Sequence, residues 1–397
     1  MITTGVTGGV WRASITPWGA VEPWDDTPAL NWFIAADDRW HVPEVEPAIR
    51  QQRVEGTAVV ETRVRVPNGD VVQRIFSVAD SGGLTIVEVE NESTMPVAVA
   101  FDRRDVLTER QVAVVPIEGI DLPPDAFVLP LGHRATLRVA IVHGRQRSDP
   151  LPAGLSTHLQ VVRGWLSLTE RASRLVLPDG ERGASVAEAI TAERCELALG
   201  SIPHARDDPI GFALALGELV RMGERPEHWI PELVDAVESI GPIVGWDADA
   251  ALGAAGRVLA AADERRARRD LSEIVERRPS SARPEAPEGG VRSVPWLESQ
   301  LASGGALLAD GFPPSWLGQS FDVYGIPVAD TTTVSYAIRW HGERPAVLWE
   351  QSGPAVELIA PLLAPAWSSS ETKGEALWPA PPNGPSAADG DSPGSFT

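Results

Sequence analysis

The apolar residues of this chain change their period near Leu155, and no other feature constrains the fold as much. Before that point they recur at every second position. Val60, Thr62, Val64 and Val66 alternate with Glu61, Arg63 and Arg65, the pattern of a strand whose side chains point to two faces in turn. Pro67-Asn68-Gly69-Asp70 interrupts the run and Val71–Val78 resumes it. Asn-Gly between alternating runs predicts a β-hairpin. Ser81-Gly82-Gly83 turns the chain into Leu84–Glu90. Val97, Val99 and Phe101 mark a further strand, Val112–Val115 another, and Arg134–His143 a last one with Leu137, Val139 and Ile141 inward. Short strands at hairpin spacing predict an antiparallel β-sandwich over residues 1–150. Ahead of them, residues 10–45 read as an irregular aromatic segment, and Pro17, Pro23 and Pro28 forbid a helix before Ala29.

After the switch the spacing is helical. Leu155, Leu159, Val162 and Leu166 fall on one face at a period of 3.6. Val186, Ile190 and Leu197 mark a second helix closed by Gly200. The third has the fullest end signals: Asp208 as N-cap, Pro209 at the first helical position, an apolar face of Phe212, Leu216 and Leu219, and Gly223 as the stop. Leu233, Val234, Val237 and Ile240 mark a fourth. Leu252, Ala255, Leu259 and Ala262 mark a fifth starting at Asp247. The connections are short, so the segment reads as stacked helical hairpins.

Period two returns in Val334–Glu350. Val334, Tyr336, Ile338 and Trp340 share a face, His341–Arg344 with Gly342 is a turn, and Val347 and Trp349 alternate with Leu348 and Glu350. The hairpin would bring two tryptophans near each other. Together these readings give an α+β multidomain chain. It has a β-sandwich with a Trp-rich N-terminal loop at 1–150 and a helical-hairpin domain at 151–277. A Pro/Gly-rich linker at 278–294 and a small C-terminal antiparallel β module at 295–370 follow. A tail at 371–397 is expected to be disordered, having little to bury.

Charge and composition narrow the function. A net charge of −21 argues against nucleic acid and against an anionic membrane surface. Lys373 is the only lysine, so the arginines reflect a coding bias more than a binding device. Arg265–Arg269 and Arg277–Arg278, interleaved with acids, read as a solvated helix face. The single cysteine, Cys195, excludes an internal disulfide framework and reads as a packed small residue. The N-terminus has no basic and apolar leader and no apolar run reaches spanning length, so a cytoplasmic protein without a membrane segment is expected.

No Gly-x-Ser-x-Gly elbow, His-Glu-x-x-His, phosphate-cradling loop or dinucleotide fingerprint occurs. The seven histidines show no ligand spacing, and neither a metal nor a cofactor is implied. What remains is aromatic residues beside carboxylates: Trp18, Glu22, Trp24, Asp25 and Asp26 in one set, Trp340, Glu343, Trp349 and Glu350 in another. Sugars offer flat C–H faces to indoles and hydroxyls to carboxylates, so both sets are candidate ligand-binding surfaces. Taken one by one, the same tryptophans read more readily as packing that staples a loop to the sandwich.

The stretch Val71-Val72-Gln73-Arg74-Ile75-Phe76-Ser77-Val78, followed by Leu84–Glu90 and Asn91-Glu92-Ser93, resembles the amino-terminal sandwich of bacterial glucoamylase-like proteins. Val162-Arg163-Gly164-Trp165 resembles the start of their first barrel helix, and Val334–Glu350 their small C-terminal sheet. With the order of modules, the chain resembles the six-hairpin glycosidases (glucoamylase-like, debranching and rhamnosidase-like enzymes). The helical stretch 155–277 is too short for that family's full barrel. No two acids match its paired catalytic carboxylates, so no catalytic residue carries over. The resemblance implies a shortened relative. Its leading expectation is a non-catalytic protein that binds an oligosaccharide or a glycosidase partner. An active glycoside hydrolase with a reduced helical domain, and a structural or interaction protein unrelated to sugars, stay open beside it.

Overall fold

The computed structural model describes residues 1–25, 27–110, 112, 117–144, 150–178, 183–200, 202–279, 281–287 and 289–381, with backbone only for 183–185. The strand expected at Val112–Val115 falls largely outside these residues, and so does the end of the chain after 381. The described residues form a mixed α/β structure with seven α-helices and several antiparallel sheets. Two compact units share the chain: residues 1–167 with 198–200, and residues 168–197 with 201–397.

The first unit is built on antiparallel strands. A six-stranded sheet runs in the order Leu107–Thr108, Thr136–Val142, Leu84–Asn91, Gly69–Val78, Val60–Val66, Arg50–Arg53. A four-stranded sheet has the order Phe127–Leu131, Val97–Phe101, Trp32–Ala35, Trp40–His41, and Ile2–Gly5, Arg12–Ile15 and Val21–Pro23 form a third. Residues 10–45 are therefore not irregular. Their prolines sit between short strands or end them, where no ladder donor is lost.

Both faces of the six-stranded sheet are covered. Ile75, Val87, Val89 and Val139 join Trp32, Ile34, Val99, Phe101 and Leu129 in one core. Phe76, Ile86 and Ala140, which point the other way, pack with Leu151, Leu155 and Val162. A sheet buried on both faces reads as a continuous apolar run, which is why Leu84-Thr85-Ile86-Val87 lacks clean alternation. The hairpin at Pro67-Asn68 forms with Val66 opposite Gly69. Asn68 takes the positive φ, 64°. Gly69 is required for a different reason: a Cβ there would lie 2.4 Å from the Ser93 Cα.

The helices are α1 (His158–Thr169), α2 (Gly183–Ala198), α3 (Pro209–Met222), α4 (Ile230–Ile240), α5 (Trp246–Ala261), α6 (Arg265–Glu276) and α7 (Ser293–Leu301). α3 begins and ends as its sequence predicts. Asp208 accepts from the Gly211 N–H at 2.9 Å, and Gly223 is left-handed at φ 109°. Arg265–Arg269, expected on a solvated face, lie on α6, most of which is exposed, but Arg278, expected on the same face, is turned inward, its side chain 8% exposed and paired with Asp249 at 2.9 Å.

Three expectations for the second unit need correction. Arg174–Val176, within the segment expected to be wholly helical, is an edge strand of a sheet continuing through Phe321–Ala329, Thr332–His341, Arg344–Ser352 and Lys373–Leu377. The linker expected at 278–294 gives way to α7 from Ser293, because Val294 and Leu301 have a core to enter. The tail expected to be disordered from 371 carries strand Lys373–Leu377 paired to Ala346–Glu350, and Trp378 behind it is 1% exposed. The strand was hidden because Lys373-Gly374-Glu375 looks like loop. Gly374 is there for close approach, since a Cβ would meet the Trp349 ring at 2.5 Å. A smaller sheet joins Ala302–Ser303, Ala306–Leu307, Leu358–Ala360 and Ala364–Ser369, and its Ala306–Ile359 pairing is parallel.

Two measurements follow from this packing. Trp378→Ala should lower the denaturant-derived stability of the second unit by about 3–5 kcal/mol, the cost of emptying a core indole site. A loss under ~1 kcal/mol would place the strand outside the cooperative core. The second concerns His143 in the first unit, stacked on Trp11 at 4.0 Å with its Nε2 2.7 Å from the Thr85 hydroxyl. Burial, then the Arg12 charge, push its imidazole down from 6.5 to about 4, with Asp25 opposing. Between those values the unfolded chain binds a proton that the folded one refuses. Stability should therefore fall as pH drops from about 6.5 to about 4. Urea midpoints of His143→Gln across that window should fall less steeply than those of the parent.

Candidate functional site

The sequence-derived candidates separate into two places. In the first unit Trp24 is 56% exposed. Its indole N–H donates to the Ser14 hydroxyl at 2.8 Å, which holds the ring along the strand Arg12–Ile15. Asp25 is exposed and accepts from the Thr27 hydroxyl and N–H; the Thr27 hydroxyl first of all holds its carboxyl below the usual range. Glu22 is half-buried opposite Ser14. Trp18 is half-buried with its Nε1 enclosed and without an acceptor among the described residues, while its carbonyl accepts from Trp32 Nε1 at 2.9 Å. Asp26 lies outside the described residues. Strand pairing thus gives this segment one exposed indole edge, not a multi-tryptophan platform.

The hairpin set does not assemble. The hairpin itself forms, with His341 opposite Arg344 and positive φ at Gly342 alone in its two-residue loop, the pattern of a type II′ turn. Trp349 stands opposite Tyr336, four residues from Trp340 along the strand, roughly 13 Å at the usual rise. Trp349 is buried at 6% exposure against Trp367. Glu350 pairs with Ser335 on the other face and is exposed. Glu343 is exposed at the hairpin tip. The two indoles therefore share a face without sharing a surface.

Trp340 leads instead to a cavity that the sequence reading missed. Its ring packs on Phe312 at 5.5 Å and its N–H donates to the Gln319 carbonyl. Phe312 lines a cavity of about 570 Å³ in the second unit, together with Trp296, Gln300, Leu308, Asp310 and Trp316. The cavity is formed where α7 faces the segment Leu308–Trp316. α7 supplies Trp296, Leu297 and Gln300, consecutive or one turn apart and so on one side of the helix. The facing wall is Gly311-Phe312-Pro313-Pro314, whose prolines stiffen it.

Its polar groups are few and distinct. Arg283 pairs with Asp310 and lies over the Trp296 ring, 5.6 Å from the centroid. The Trp296 N–H is already committed to the Pro284 carbonyl at 3.0 Å. Trp316 is 5% exposed, and its indole N–H is enclosed without an acceptor among the described residues. Leu308 holds a left-handed φ of 45° while fully buried, a conformation that costs a leucine of order 1–3 kcal/mol. Its N–H is tied to the Leu301 carbonyl at 3.0 Å, and Gly311 N–H closes the turn onto Leu308 at 2.8 Å. The sequence does hold a signal, Gly311-Phe312-Pro313-Pro314-Ser315-Trp316, two aromatics spaced by prolines. No period-based reading marks it, since the segment is neither helix nor long strand.

Among the described residues no group of three or more His, Cys, Asp or Glu is placed to hold a metal ion, and no helix is long and apolar enough to cross a membrane. No family model matches the chain, and no curated protein matches it.

Because Trp24 is exposed, Trp24→Ala should shift the stability of the first unit by less than about 1 kcal/mol. A denaturation midpoint displaced by 3 kcal/mol or more, as for a core indole, would show that the ring packs in solution.

Proposed function

We propose that this protein binds a short oligosaccharide without hydrolysing it, at the aromatic cavity between α7 and Leu308–Trp316. The observation that carries the reading is the cavity's composition. Trp296, Phe312 and Trp316 line it, and the Gln300 amide supplies hydrogen-bonding groups. Flat apolar faces receive the C–H faces of a sugar ring, and a few convergent polar groups set its orientation. The volume is within the ordinary range for small-ligand sites. Among the described lining residues Asp310 is the one acid, and Arg283 neutralises it. Glycoside hydrolysis by two carboxyl groups needs a second, about 5–9.5 Å away.

The family reading is part of the same proposal. The two larger sheets of the first unit, with a shared core, fit an N-terminal sandwich. The helices and the C-terminal sheets of the second unit fit a shortened set of six-hairpin glycosidase modules. A cytoplasmic location suits a chain with a single buried cysteine.

Intrinsic tryptophan fluorescence and calorimetry against malto-, cello- and xylo-oligosaccharides test this, with aryl glycosides for turnover. Saturable binding is expected, weakened at least tenfold by Trp296→Ala, with no sugar released. Hydrolysis that disappears in Asp310→Asn would replace this reading with an active glycoside hydrolase. Absence of binding across the panel would favour a structural or interaction protein.

A further inference from the structure

A second cavity of the same unit carries a different chemistry. It measures about 250 Å³ and is lined by Trp246, Gly253, Arg257, Ser303, Ile326 and Pro327 among others. Around it the charges are matched almost everywhere. Asp249 pairs with Arg278 at 2.9 Å. Asp330 has Arg268 at 3.9 Å. Glu298 lines the cavity, but Arg194, Arg221 and the Ser173 hydroxyl occupy its oxygens. Arg257 is the exception. No described residue forms a hydrogen bond or ion pair with it, and Glu218, Glu298 and Asp330 act on it only from beyond ion-pair distance; its Nε, like that of Arg268, is enclosed without an acceptor among the described residues.

We propose that this cavity binds a small monocarboxylate, seated on the Arg257 guanidinium with its apolar body against Trp246, Ile326 and Pro327. A planar guanidinium takes a carboxylate through two parallel hydrogen bonds. The surplus is one positive charge, so a monoanion balances it. A phosphate dianion would leave a net negative charge beside Glu298, Asp249 and Asp330. The backbone also leaves room. Gly253 lies within α5, where a glycine is less favourable than alanine, and a Cβ built there would lie 3.6 Å from Arg257 Nη1. The helix thus keeps an open position beside the one unmatched cation. Burial, and next the Arg221 charge, push the Arg257 guanidinium down from the ordinary arginine value, with Glu218, Glu298 and Asp330 opposing. An anion would relieve that cost.

Thermal shift and calorimetry on the full chain test the assignment, with sodium benzoate and propionate as probes and methyl benzoate and inorganic phosphate as controls. The two carboxylates should raise the melting temperature in a saturable way, and neither control should match them. Arg257→Met should abolish the response while leaving the probe-free melting temperature equal or higher, because it removes an uncompensated charge. Gly253→Leu keeps Arg257 and a good helix former but fills the space beside the guanidinium, and should also abolish the response. No carboxylate response in the parent overturns the proposal. So does a response that survives in Arg257→Met or Gly253→Leu, or phosphate acting as well as benzoate. A melting temperature lowered by several degrees in Arg257→Met overturns it too, because the guanidinium would then be structural.

Discussion

Two arginines and two glutamates buried in the second unit set the position of nearly everything that matters there. Arg194 on α2 donates to Glu218 on α3 and to Glu298 on α7, each at 2.8 Å. Arg221 on α3 donates to both Glu298 oxygens at 2.9 Å. The backbone completes the shell: Arg194 reaches the Ser173 carbonyl at 3.1 Å, and Arg221 reaches Ala172 at 2.8 Å. Burial alone would raise the Glu298 carboxyl, but Arg221 and then Arg194 outweigh it and hold it at about 2. Such a cluster is costly to desolvate and adds little net stability over an apolar core, yet a missing partner would strand a buried charge. Its effect is therefore geometric. α2, α3, α7 and the turn before Arg174 have one arrangement in which all the charges are met.

Both cavities inherit that arrangement through α7. Glu298 faces the charge cluster, while Trp296, Leu297 and Gln300 face the aromatic cavity and Pro295 and Ser299 face the smaller one. One nine-residue helix thus carries the anchor and part of two cavity walls. A binding wall held by packing and by supporting hydrogen bonds loses little entropy when a ligand arrives. The strained Leu308 opposite α7 belongs to the same design, since a left-handed leucine persists only where its surroundings over-determine it.

The sequence disclosed the elements that depend on local chemistry and hid those that depend on distant partners. The strands from Val60 to Phe101 and the capped helix α3 could be read because alternation, Asp208, Pro209 and Gly223 act within a few residues. Arg174–Val176 and Lys373–Leu377 could not, because each is an edge strand whose reason to extend is a partner far along the chain. The site was obscured for the same cause. Trp340 and Trp349 were visible as aromatics, but register placed one in the core and the other behind Phe312. The cavity's walls come from Trp296, expected at the start of the C-terminal β module but standing on α7, and from a proline-rich loop with no period. Arg194, Glu218, Arg221 and Glu298 are spread over some hundred residues, and nothing local distinguishes them from surface charges.

Electrostatics bears on the choice between binding and hydrolysis. A glycosidase needs one carboxyl kept protonated near neutrality, which requires burial or a like charge to raise it, beside another kept ionised. In this chain every described carboxyl that is displaced from its ordinary range, Asp25, Asp38, Glu46, Glu61, Asp208 and Glu298, is displaced downward. Arginines are the chief partners of most of them. The chain thus uses its arginines to keep buried and half-buried acids ionised, the opposite of what proton donation to a leaving group demands. The same abundance leaves one guanidinium, Arg257, unmatched beside a cavity.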